Sequence, residues 1–192
     1  MSTLVVVKKN KVACIAADTL TCFGNKKQLA TYDAHATKIQ QGGNSYFGLV
    51  GSAAHNLVVE SFFSHEKKIP NFQNRLEIFE FFRKLHPRLK KEYFLNPKEE
   101  DDDPYESSQM DILIANRYGI FSVFSMREVF EYKKFWAIGS GSEYALGAMY
   151  AAYEHFDSAE TIAQLGVEAG IEFDDGSASP INSYCIDLIE EV

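Results

Sequence analysis

A serine at position 2 and an acid at position 18 are the residues around which chemistry can be built in this sequence. Ser2 follows the initiator Met1, and methionine is usually trimmed from before so small a residue. Trimming leaves an α-amine and a hydroxyl on one residue. A serine hydroxyl is a poor nucleophile at neutral pH and needs a base within hydrogen-bond reach. An α-amine, with a reference pKa of about 7.7–8.0, is partly neutral near physiological pH and can be that base. Thr3 is the alternative nucleophile, one residue further on.

The element that positions these groups is a β-hairpin beginning at the first residue. Leu4 to Val7 and Val12 to Ala17 are short apolar runs flanking the polar break Lys8 to Lys11, where Asn10 suits a tight turn. Folding about Lys9-Asn10 or Asn10-Lys11 places Asp18 opposite or diagonal to Ser2 or Thr3, at cross-strand contact distance. Leu4 to Val7 is apolar at successive positions, as expected of a strand buried on both faces.

Beyond the hairpin, residues 19–36 are polar with a Gly24-Asn25 turn signal and read as a surface connection or irregular strand. A strand over 45–50 runs through Gly51-Ser52 into a helix from Ala53 to His65, with Ser52 as N-cap. A second helix is expected from about 71 to 92, crossed by Pro87. Residues 96–109 carry an acidic run that reads as a solvated loop. Strands are expected at 110–115, 120–125, 129–132 and 135–138, at hairpin spacing. Helices follow at 143–155 and 158–173, then a last strand at 181–189. Helices in pairs, rather than alternating singly with strands, suit two antiparallel sheets covered by helix layers in one domain over 1–192.

Composition narrows the function. A net charge of −8 and a pI near 5.1 argue against nucleic acid or an anionic membrane as the main partner, because phosphate binding needs clustered Lys and Arg. Cys14, Cys22 and Cys185 are scattered, without the spacing of a zinc site or a disulfide framework, and read as reduced core thiols. The apolar run before Lys8 is too short for a signal peptide or a membrane span, so a soluble, cytoplasmic protein is expected.

Taken together, the motifs resemble the proteasome β-subunit family, including HslV and shorter bacterial proteasome homologues. The resemblance rests on the hairpin ending Ala16-Ala17-Asp18, Lys38 before a strand, and Phe47-Gly48-Leu49-Val50-Gly51-Ser52-Ala53. It also includes Ile138-Gly139-Ser140-Gly141-Ser142 and Asp174 to Ser179. It covers nearly the whole chain and implies an N-terminal-nucleophile hydrolase, an α+β four-layer αββα sandwich of two antiparallel sheets. The implied activity is a threonine/serine-type endopeptidase acting on peptide or unfolded protein, without a cofactor or metal. A self-compartmentalising homo-oligomeric ring is implied, with an ATP-dependent unfoldase as a candidate partner. A catalytically silent structural subunit and a small-amide hydrolase of the same fold are the competing readings.

The resemblance also implies roles. Family spacing from nucleophile to first acid matches Ser2 to Asp18 without a gap, which favours Ser2 over Thr3. Lys38 would lie beside the amine and hydroxyl, paired with Asp18. The N–H of Gly48 would receive the developing oxyanion. Ser140, Asp174 and Ser177 would surround the amine, with Asp175 competing for the place of Asp174, and Ala178-Ser179 departs from the usual Gly-Gly. Thr21, Tyr46 and Val50 would line the substrate pocket, where a tyrosine floor favours small side chains. His35, His55 and His65 have no part in this mechanism.

Overall fold

The computed structural model describes residues 1–66, 68–98 and 100–189. Strands β1 (Leu4–Lys9) and β2 (Val12–Ala17) form the expected hairpin. Asn10 and Lys11 both take positive φ, 47° and 64°, the signature of a two-residue turn whose twist matches the strands it joins. Lys9 therefore faces Val12 and Leu4 faces Ala17. The chain continues through a short hairpin, β3 (Thr21–Phe23) and β4 (Lys26–Gln28), then β5 (Ile39–Gly42) and β6 (Ser45–Gly51). Helices α1 (Ala53–His65) and α2 (Arg75–Glu92) follow. Strands β7 (Met110–Asn116), β8 (Gly119–Val123), β9 (Val129–Tyr132) and β10 (Phe135–Ile138) lead to α3 (Ser142–Ala152), α4 (Ala159–Phe173) and β11 (Asn182–Asp187).

The larger strands make two antiparallel sheets, ordered β10-β1-β2-β11 and β5-β6-β7-β8-β9. α3 and α4 cover the first sheet through Val5, Val7, Met149 and Val167. α1 and α2 cover the second through Phe47, Phe62, Phe82 and Ile112. Leu4, Val6, Ile15, Leu113 and Ile120 fill the space between the sheets. This is the four-layer αββα sandwich read from the sequence. Successive residues of β1 serve different layers, which is why Leu4 to Val7 are all apolar and fully buried. Each such side chain contributes about 1.5–3 kcal/mol of transfer free energy.

Two expectations change. Within the 19–36 stretch, residues 21–28 form the β3–β4 hairpin about Gly24, φ 58°, and Ala30–Tyr32 makes a short 3-10 turn. The reading of all three cysteines as reduced is corrected: β2 and β11 pair so that Cys14 lies opposite Cys185, with Cα atoms 4.1 Å apart, and the two are disulfide-bonded. Their separation of 171 residues hides the pairing from any spacing rule. Cys22 is free. Among the described residues no helix is long and apolar enough to cross a membrane. The last expected strand is described through Ile189, and residues 190–192 lie outside the described residues.

Candidate active site

The hairpin register dictates the centre of the site. Leu4 opposite Ala17 puts Thr3 opposite Asp18, and the Asp18 N–H donates to the Thr3 carbonyl at 3.1 Å. Asp18 is fully buried. Its Oδ1 accepts from the Thr3 N–H at 2.9 Å and from Lys38 Nζ at 2.6 Å, while Oδ2 accepts from the N–H groups of Leu20 (3.0 Å) and Ala178 (3.2 Å). A buried carboxylate tolerates desolvation when its lone pairs are filled in this way. Lys38 precedes β5, is only 7% exposed, and anchors itself by accepting from the Leu49 N–H at 3.1 Å. Burial pulls the Lys38 ammonium below the usual lysine pKa, and the Asp18 carboxylate opposes that shift.

Ser2 and Thr3 separate cleanly. Thr3 is fully buried, with its hydroxyl 2.7 Å from that of Ser177. The turn at Gly141 and helix α4 at Gly170 close on it so tightly that a Cβ at either glycine would meet Thr3 Oγ1 at 2.0–2.1 Å. Ser2 instead borders a small cavity of about 60 Å³ that Lys38 also borders. The Ser2 N–H donates to Ser140 Oγ at 3.0 Å, Ser140 Oγ donates to Asp174 Oδ2 at 2.8 Å, and Ser177 Oγ donates to the same oxygen at 2.8 Å. Asp174, rather than the exposed Asp175, is the acid in this chain. Gly139, at φ 97°, and the Gly141 N–H, which donates to the Ser2 carbonyl at 3.1 Å, let the 139–142 turn wrap this residue. Met1 is 60% exposed, and its carbonyl accepts from the Ser2 hydroxyl.

Strand β6 corrects three expected site residues at once. Side chains alternate along a strand, and the even positions Tyr46, Gly48 and Val50 face the other sheet. Tyr46 stacks on Tyr184 with ring centroids 4.9 Å apart, and Val50 packs with the inter-sheet core. A Cβ on Gly48 would lie 2.4 Å from Leu4 Cδ1. The Leu49 N–H donates across β5 to Lys38, so antiparallel alternation turns the Gly48 N–H to β7, opposite Leu113. Gly48 has no access to the cavity as an oxyanion donor, and Tyr46 and Val50 line no pocket beside Ser2.

The odd positions Leu49 and Gly51 border the cavity, together with Thr21, Cys22, Ser52, Ala53 and Asn56. By the same alternation the Gly51 N–H turns away from β7, on the side where β5 has not yet begun. Gly51 holds φ 145°, which favours glycine, and a Cβ would meet the Gln109 carbonyl oxygen at 2.9 Å. Immediately after it α1 opens, with the Ala54 N–H donating to the Ser52 side chain at 3.4 Å. First-turn N–H groups and the positive end of the helix dipole therefore lie beside Ser2, a place suited to a developing negative charge. A glycine between a strand and a helix N-cap was the sequence signal for this donor. His35 borders an adjoining groove, His55 is half-buried and His65 lies on the exposed end of α1.

Two solved structures of Thiobacillus denitrificans BPH, one of them in complex with epoxomicin, share 43% identity with this chain. They cover 98% of this chain and 100% of their own, with TM-scores of 0.92 for the complex and 0.93 for the other. Eukaryotic HslV from Trypanosoma brucei, at 18% identity, has the same fold with a TM-score of 0.63, covering 96% of this chain and 99% of its own. No family model and no curated protein matches the chain.

Proposed function

This chain is a proteasome-family peptidase, a member of the proteasome β-subunit and HslV-like family of N-terminal-nucleophile hydrolases, and on that premise we propose that Ser2 is its nucleophile once Met1 is removed. The observation that carries the proposal is the sharing of one cavity by Ser2 and Lys38, with the Ser2 nitrogen already held by Ser140. In the mature chain that nitrogen is a free amine. It takes the proton from the Ser2 hydroxyl as Oγ attacks the scissile carbonyl carbon, and then gives it to the leaving amine. An ester on Ser2 results, which water cleaves through the same proton route.

Lys38 and Asp18 tune this step. A cation beside the site disfavours protonation of the amine, and the Asp18 carboxylate 2.6 Å from Lys38 Nζ holds that cation in place. Ser140, Asp174 and Ser177 orient the amine. The Gly51 N–H, with the α1 N-terminus behind it, receives the oxyanion in place of Gly48. Peptide or unfolded polypeptide is the substrate, and a homo-oligomeric ring with enclosed sites, served by an ATP-dependent unfoldase, is the assembly this reading favours.

In the silent-subunit reading Met1 stays attached, and the nitrogen of Ser2 is then an amide that cannot serve as the base. Intact-mass analysis combined with peptide hydrolysis and epoxomicin binding separates the two. Protein beginning at Ser2 is expected to cleave peptides and bind epoxomicin, whereas protein retaining Met1 does neither. Folded protein beginning at Ser2 that shows no hydrolysis and no binding overturns the proposal.

A further inference from the structure

Alongside the Ser2 cavity runs a groove of about 730 Å³ that shares Thr21, Lys38, Ala53 and Asn56 with it. One wall is a stripe of helix α1. Ala53, Asn56, Leu57, Glu60 and Ser64 recur at three- and four-residue spacing and all border the groove. Ala53 and Asn56 touch the Ser2 cavity as well, and Glu60 is one turn further, about 6 Å along the helix axis. Between them lies Leu57, 70% exposed, with Phe63 and Ile69 beyond as further apolar wall.

The charges in the groove are unbalanced. Its two carboxylates belong to Glu60 and to Asp33. Asp33 is held by the neutral Gln28 amide at 2.9 Å and the His35 N–H at 2.9 Å, neither of them a cation. The ammonium in the lining is that of Lys38, which Asp18 already holds at 2.6 Å. The imidazole of His35 is the other titratable group in the lining besides Lys38 and these two carboxylates. An apolar stretch ending in a carboxylate matches a side chain with an aliphatic stem and a cationic head.

We propose that this groove selects substrates with lysine or arginine next to the cleaved bond, with Glu60 as the specificity-determining residue. The inference rests on the peptidase reading for its biological meaning, but the recognition itself does not require turnover. It replaces the small-side-chain preference expected from Tyr46, which faces away from the cavity.

The test uses mature protein and two measurements. Fluorogenic peptides differing only in the residue before the cleaved bond (Arg, Lys, Leu, Ala) give kcat/KM, and labelled peptides with carboxy-terminal Arg or Leu give equilibrium binding. Arg and Lys are expected to be preferred, and Glu60→Gln is expected to lower the Arg/Leu ratio about fivefold, the scale of a partly exposed ion pair, through KM. Glu60→Lys is expected to invert the preference, with thermal unfolding confirming that both variants fold. Hydrolysis without Arg/Lys preference, or a ratio unmoved by both substitutions, overturns the inference and leaves the peptidase reading standing. Preferential binding of the Arg peptide that is lost in Glu60→Gln, without any hydrolysis, supports the inference and sinks the peptidase reading instead.

Discussion

Lys38 Nζ lies 2.6 Å from Asp18 Oδ1, and the two side chains are 9% and 0% exposed. Removing one partner of such a pair leaves the other charged and buried, at a cost of roughly 3–5 kcal/mol. Asp18→Ala also strips acceptors from three backbone N–H groups, those of Thr3, Leu20 and Ala178. Denaturant unfolding is therefore expected to show Asp18→Ala losing about 3–5 kcal/mol. Lys38→Met leaves Asp18 buried but still held by three backbone N–H groups, so it is expected to lose less stability but at least about 100-fold in kcat. Equal stability losses with equal activity losses would point to a purely structural pair.

The neighbours Ser2 and Thr3 are expected to fail in different ways. Ser2→Ala should abolish peptide hydrolysis with little change in unfolding midpoint, since Ser2 borders a cavity. Thr3→Val keeps the volume but leaves the Ser177 hydroxyl without its 2.7 Å partner, and should cost about 1–3 kcal/mol. Hydrolysis surviving in Ser2→Ala and vanishing in a folded Thr3→Val protein would move the nucleophile by one residue.

Gly48 and Gly51 offer a second contrast along one strand. A methyl at Gly48 collides with Leu4, so Gly48→Ala is expected to lose about 1–3 kcal/mol of stability, and activity only as far as folding suffers. Gly51→Ala forces a non-glycine residue to φ 145° and shifts the N–H assigned to the oxyanion. A loss of about 100-fold or more in kcat with KM little changed is the expected kinetic result. The reverse pattern would return the donor role to Gly48.

His86, on α2, is 6% exposed between Ser108 Oγ and Glu106 Oε2, each 3.1 Å away. Burial lowers its pKa, outweighing the Glu106 carboxylate, which pulls the other way. The unfolded chain therefore takes up a proton near the reference value of 6.5 that the folded chain refuses. Stability is full above that pH and falls as pH drops below it, by at most about 1.4 kcal/mol per pH unit from this residue. His55, also lowered by burial, adds to the same trend. Unfolding midpoints at pH 7.5 and 5.5 should differ more for the wild type than for His86→Gln; an identical difference would remove His86 as the cause.

The sequence by itself determined the layers and the acid–alcohol pairing. An uninterrupted apolar β1 required burial on both faces, and a tight turn at Lys9-Asn10 or Asn10-Lys11 brought Asp18 opposite or diagonal to Ser2 or Thr3; the fold selects Asn10-Lys11 and sets Thr3 against Asp18. Such signals are local, because strand period and turn chemistry act within a few residues. Only the tertiary structure decided what faces Ser2. Phe47-Gly48-Leu49-Val50-Gly51 is apolar or glycine throughout, so its pattern carries no alternation to say which residues point to the cavity; packing against Leu4 on one side and α1 on the other decides it. The bond between Cys14 and Cys185 was hidden for a related reason: it depends on the pairing of β11 with β2 across 171 residues, a long-range contact that no spacing encodes.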